Sequence, residues 1–289
     1  MIQLEGLYLL PYISTIRENS KALISFRAHN LEHEIWEQNA EYEKNVLKKF
    51  YLNNLALRIK KFELSFLNKY DVLIPITERD ASKFEKFGNK KPVFVCPTGI
   101  NLKKFENTEI DVNNLNFYHF GSLDWLPNTE GLIWFLENIW KKIQEKYPNI
   151  QFSIAGRNAS TKFVRKLKDY KINYFGEVEN SEDFTCFQTI MVVPLQSGSG
   201  MRIKIIEAMA AGKIVISTSK GLEGIDAQDN KEVLIANTEI EFIRTIILII
   251  ENKIDIKLIS VNAKNYISKK FNNIALSKLL LNFYSNPEK

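Results

Sequence analysis

Twice along this chain, short apolar runs alternate with segments of helical period. The first series is "ALISFRAH" (22–29), a long helical pattern over 32–70, "DVLIPIT" (71–77), a short helix from Glu78, and "PVFVCP" (92–97). The second starts at "NFYHFG" (116–121) and continues through "IQFSIAG" (150–156), "INYFGEV" (172–178), "TIMVVPL" (189–195), "KIVISTS" (213–219) and "EVLIANT" (232–238), with helical patterns between the runs. Strand, helix, strand is the order of a parallel sheet whose crossovers are helices. Two such series predict an α/β chain with two Rossmann-like parallel-sheet domains. The aperiodic polar stretch "FENTEIDVNNLN" (105–116) reads as the linker between them. Ligands of such folds bind at the carboxyl ends of strands, so the default site faces a cleft between the domains.

With 45% hydrophobic residues over 289 positions, there is material for two cores. The longest apolar candidate, 242–250, is nine residues and contains Arg244, well short of a membrane span. "MIQLEGLYLLPY" lacks the basic start and small-residue cleavage site of a signal peptide. Cys96 and Cys186 have no metal-like spacing and suit a reducing compartment. These features predict a soluble, cytoplasmic protein. Positive charge is unevenly placed: residues 1–105 carry 17 Lys+Arg against 12 Asp+Glu, and the remainder is balanced. Between Lys44 and Lys69, seven bases face one acid, Glu63. That is either a solvated helix face or a surface for an anionic partner such as acidic lipid headgroups at the membrane.

The stretch richest in chemistry is "SGSGMRIKIIEAMAAG" (197–212). Gly198 and Gly200 let the backbone turn tightly and bring amides close to a ligand. The helix that follows points its positive N-terminus at the same place. With Arg202 in the turn and Lys204 in the first helical turn, both cations reach one anion, and a diphosphate fits. Glu207, three residues after Lys204, shares its helical face and can accept hydrogen bonds from ribose hydroxyls. The plainer alternative is a capped helix with a Lys204–Glu207 ion pair. The spacing is not that of a P-loop.

The runs "FGSLDWLPNTEGLIWFLENIW" (120–140), "FSIAGR" (152–157), "YFGEVEN" (174–180) and "VVPLQSGSGMRIKIIEAMAAGKIVISTSKGLEGI" (192–225) resemble, in order, the donor-binding half of retaining glycosyltransferases of family 4, which have the GT-B architecture. The resemblance implies a nucleotide-sugar donor site formed by Gly121, Ser122, Gly156, Arg157, Gly198, Ser199, Gly200 and Glu207, with Arg202 and Lys204 on the diphosphate. It also implies a division into 1–105, a partial acceptor-side domain, then linker 106–116, donor domain 117–254, and a helical tail 255–289 returning toward the N-terminal domain. Relatives carry more chain before the equivalent of Met1, so the N-terminal domain is expected to be incomplete. Two departures stand out. Ser199 occupies the position eight residues before Glu207 where the family often has an acid. "GSLDW" replaces the arginine that many members carry after the first-strand glycine.

"RAHNLEH" (27–33) is the other constellation. His29 fits the place of a family histidine that lies over the donor sugar, where a neutral imidazole hydrogen-bonds a hydroxyl or stabilises the departing diphosphate. The same letters, His29-x-x-Glu32-His33, match a zinc-peptidase pattern, which requires both histidines on one helix. His119 reads as structural, and Trp134, Phe135 and Trp140 as core. Trp125 follows the first donor-domain strand and is placed to shape the donor pocket. Asn128 reads as a helix cap. No convincing Asp-x-Asp metal motif is present, so transfer without metal or other cofactor is expected, to a glycan or lipid-linked acceptor. Nothing in the basic segment resembles a nucleic-acid module.

Overall fold

The computed structural model describes every residue except Asn107, Ser199, Glu288 and Lys289. The chain divides into two units, residues 1–99 with 273–289, and residues 100–272.

The first unit contains strand β1 (Ile2–Glu5), helix α1 (Ile13–Asn19), β2 (Ile24–Ala28), α2 (Glu32–Tyr42), α3 (Val46–Ser65), β3 (Val72–Pro75) and α4 (Glu78–Lys86). Its strands pair in parallel in the order β1-β2-β3. The helical pattern over 32–70 is two helices, because Asn45 caps a new one: its side chain accepts from the Lys48 amide at 3.1 Å. α2 and α3 are joined internally by a buried pair, His33 Nδ1 on Glu63 Oε2, and Glu63 also accepts from the Glu32 amide at 3.2 Å. "PVFVCP" forms one parallel bridge, Val93 to Leu73, rather than the expected strand.

The second unit contains β4 (Asn116–Phe120), α5 (Leu126–Phe135), a π-helical turn (Leu136–Trp140), α6 (Lys141–Lys146), β5 (Gln151–Ala155), α7 (Thr161–Leu167), β6 (Asn173–Gly176) and α8 (Ser181–Thr185). It continues with β7 (Ile190–Val193), α9 (Ile203–Ala210), β8 (Ile214–Ser217), β9 (Leu234–Ile235), α10 (Glu239–Ile250) and α11 (Ile256–Lys270). Among the described residues these strands form a six-stranded parallel sheet, order β6-β5-β4-β7-β8-β9, the doubly wound arrangement. Both faces are covered, so strand residues of both parities are apolar. Ile190, Val192, Ile214 and Ile216 pack with Phe135, Trp140 and Phe242 on one side. Met191, Val193 and Val215 pack with Ile205, Ile206 and Met209 of α9 on the other.

The expected linker is partly built into the second unit. Ile110, Val112 and Leu115 pack against the core of the second unit. The tail divides as well. α11 packs through Ile256 and Ile259 on one face of the second sheet and through Ala263 and Ile267 on the other. A last helix, α12 (Asn273–Ser285), belongs to the first unit, where Leu276, Leu280 and Phe283 cover Val72, Ile74 and Cys96.

Candidate functional site

In the second sheet the strand order reverses between β4 and β7. Chain connections leave in opposite directions there, and a crevice opens at the carboxyl ends of the strands. The two strands pair at Phe117/Ile190 and Tyr118/Met191. One residue further on, the His119 side chain is inserted where they part: Nδ1–H donates to the Val192 carbonyl at 2.9 Å. Burial lowers the His119 pKa to about 4, so the ring is neutral. Its Nε2 is enclosed and has no hydrogen-bond partner among the described residues.

Directly above lies the turn after β4. Asn128 is not the helix cap; Trp125 holds that position in α5. Asn128 is turned inward, and its Nδ2 donates to the Ser122 carbonyl at 2.8 Å. A Cβ on Gly121 would stand 3.0 Å from that Nδ2 and 3.4 Å from His119 Nε2. A Cβ on Gly156 would fall 1.8 Å from the Gly121 carbonyl oxygen. Both glycines therefore have a packing reason, since the turns after β4 and β5 are stacked backbone to backbone. Arg157 completes the contact, its Nε donating to Ser122 Oγ at 3.1 Å while its carbonyl accepts from the Leu123 amide at 2.9 Å.

From the β7 side comes the 197–202 turn. Gly198 has φ +99°, which favours glycine, and a Cβ there would strike the Trp125 ring at 2.7 Å. Arg202 is the N-cap residue of α9, and among the described residues no side chain caps the helix. Its guanidinium stands 5.4 Å from the centroid of Trp125, with Nη1 donating to the Gly200 carbonyl. Nε and Nη2 are buried without a partner among the described residues. Burial pulls the Arg202 pKa down to about 10, against the opposing charge of Glu223. Such a cation is held at a desolvation cost and presents unused donors, as an anion site does.

Lys204 Nζ pairs with Glu207 Oε2 at 2.9 Å and stands 4.9 Å from the centroid of Phe120. Both partners are partly exposed, so the pair is weak and exchangeable. They border a cavity of about 100 Å³ together with Phe120, Tyr118, Glu182 and Lys213. Ser199 lies outside the described residues.

The sequence-derived set is thus brought together on this unit, apart from Ser199 and His29. His29 is on the first unit, at the carboxyl end of β2, with Nε2 2.6 Å from Glu5 Oε2. The peptidase pattern does not form: α2 begins at Glu32, so His29 precedes the helix, while His33 is inside it and committed to Glu63. Sequence reasoning read His119 as structural without its bonding partner, took Asn128 for a helix cap, and missed Lys213 altogether. Lys213 is buried, donates to the Gln188 carbonyl at 2.6 Å, and has its pKa lowered to about 8 by burial. A polar residue in an apolar strand was the available signal for His119, but not its direction.

Solved structures agree on the class. HepE of Anabaena, in complex with UDP, superposes with a TM-score of 0.75 at 13% identity, over 98% of this chain and 78% of that one. TarM of S. aureus gives 0.73 at 15% identity, over 98% of this chain and 54% of TarM. The fold is that of the GT-B glycosyltransferases.

Within it, residues 115–252 match the family described as glycosyl transferases group 1. A curated relative, an uncharacterized 44.6 kDa protein in the cps region of Klebsiella pneumoniae, is 27% identical over 92% of this chain and 69% of its own length. The chain thus spans about half of TarM and about two thirds of that relative.

Proposed function

We propose that the protein is a family 4-like retaining glycosyltransferase that moves a sugar from a nucleoside-diphosphate sugar to a glycan or lipid-linked acceptor in surface-polysaccharide assembly. The observation that carries the reading is the buried Arg202 guanidinium, with two unused donor atoms at the switch point of a doubly wound sheet. Arg202, Lys204 and the amides of the first turn of α9 take the diphosphate. They stabilise the charge that develops on it as the glycosidic bond breaks, which is the main electrostatic demand of the reaction. Glu207 exchanges Lys204 for the ribose hydroxyls, beside the face of Phe120. On the first unit, His29, held by Glu5, is the residue that the family resemblance assigns to the sugar. With these cations in place, transfer proceeds without a metal. The UDP bound by HepE and the cps location of the Klebsiella relative support the donor class and the setting.

Calorimetry with UDP and GDP on wild type, Arg202→Ala and Glu207→Ala tests the site. A loss of tenfold or more in affinity is expected for each variant with the preferred nucleotide. Equal affinity for all three proteins would remove the assignment. A protein that binds donor but yields no product with any acceptor extract is instead a nucleotide-sugar-binding module.

A further inference from the structure

Helix α3 is apolar on two sides. Leu52, Ala56 and, in part, Ile59 face inward, yet Val46, Leu47, Phe50 and Leu57 point the other way and are 79%, 82%, 74% and 64% exposed. At 100° per residue these four lie within one stripe of about 100°, opposite the buried face. Tyr42 and Tyr51 flank it and are also exposed. A helix with apolar residues on two opposite sides is normally covered on both; here the outward side is exposed. By the same spacing Lys61 lies within the stripe and Arg58 at its edge, while Lys49 stands about 60° beyond the other edge with its Nζ donating to the Glu41 carbonyl at 3.2 Å; all three are exposed. The one acid of the 44–69 segment, Glu63, is buried and held by His33, so it neutralises nothing at the surface. Glu43 is already paired with Lys48 at 2.6 Å.

From this geometry we infer that the outward stripe of α3 lies in the interface of an anionic lipid bilayer. Leu47, Phe50 and Leu57 enter the acyl boundary, while Arg58, Lys61 and Lys49 meet the headgroup phosphates. An exposed apolar stripe with cations beside and among its side chains is the pattern of an interfacial helix, in which apolar burial and electrostatic attraction act together. A neutral protein partner would satisfy the apolar side chains but not the exposed cations Arg58 and Lys61 beside and among them. The segment lies in the first unit, and vesicle binding needs no donor, so the inference is independent of the sugar-transfer reading.

The test is co-sedimentation of the full chain with phosphatidylcholine vesicles containing none or about a third phosphatidylglycerol, at low and high salt. Binding is expected only to the anionic vesicles and to weaken at least tenfold at high salt. Leu47→Ser/Phe50→Ser should weaken it tenfold or more, as should Arg58→Glu/Lys61→Glu. All four side chains are exposed, so circular dichroism and UDP affinity should stay at wild-type values. No binding to anionic vesicles, or equal binding by both variants, overturns the inference. So does a concentration-dependent dimer abolished by Leu47→Ser/Phe50→Ser, which would make the stripe a contact between copies.

Discussion

Arg202→Met should make the unliganded protein more stable and the donor site worse. Holding the guanidinium charged where burial pulls its pKa well below the ordinary arginine value, to about 10, costs about 3 kcal/mol. Methionine keeps most of the aliphatic length and carries no charge. The substitution forfeits the stacking on Trp125, worth about 1 kcal/mol. It also forfeits the bond to the Gly200 carbonyl, worth about 1.5 kcal/mol for a charged donor. The balance is a gain of about 0.5 kcal/mol, or about 1–2 °C in Tm for a domain of this size. The same change removes the buried cation proposed above to hold the diphosphate, which should cost about 3 kcal/mol of binding, on the order of 100-fold in Kd. Urea unfolding and UDP calorimetry on the same preparation read both quantities, with Arg202→Lys retaining charge without the planar fork. A variant less stable by 2 kcal/mol or more would show that Arg202 is structural, and unchanged UDP affinity would show that its free donors do not face the ligand.

Two further outcomes follow from the same unit. Gly156→Ala should destabilise by about 3 kcal/mol or more through overpacking, because the new methyl meets the Gly121 carbonyl oxygen at 1.8 Å. Gly176→Ala, with φ +70° and open space around it, should cost only about 1 kcal/mol, and denaturation midpoints separate the two. Lys213 has a folded pKa of about 8 against 10.5 unfolded, so the unfolded state holds more protons between those values. Its burial penalty is fully present below pH 8 and is relieved as pH rises toward 10.5. Wild type should therefore gain about 2–3 kcal/mol on Lys213→Met between pH 7 and 10, and a constant gap in urea-unfolding free energy would refute this.

The parallel α/β character of both units and the relative placement of Arg202, Lys204 and Glu207 are legible in the chain alone. Strand parity, helical period and the glycine turn before α9 are local signals, and "MRIKIIE" must put Glu207 one turn beyond Lys204 wherever the helix is docked. Tertiary structure decided what distance in sequence conceals. Trp125 stacks on Arg202, 77 positions away, because the turns after β4 and β7 meet at the switch point. The structural His119 finds its partner in the Val192 carbonyl where β4 and β7 part. Asn128 bonds the Ser122 carbonyl of the turn after β4 instead of capping a helix, since buried polar groups are satisfied by whatever the fold brings near. The polar segment 105–116 became part of a core through Ile110, Val112 and Leu115, since aperiodic sequence packs wherever a few apolar side chains find a surface. The basic helix acquired its second, apolar face only once burial showed which side was already in use. Charge and hydropathy are written in the chain, but which side of a helix remains exposed depends on its neighbours in space.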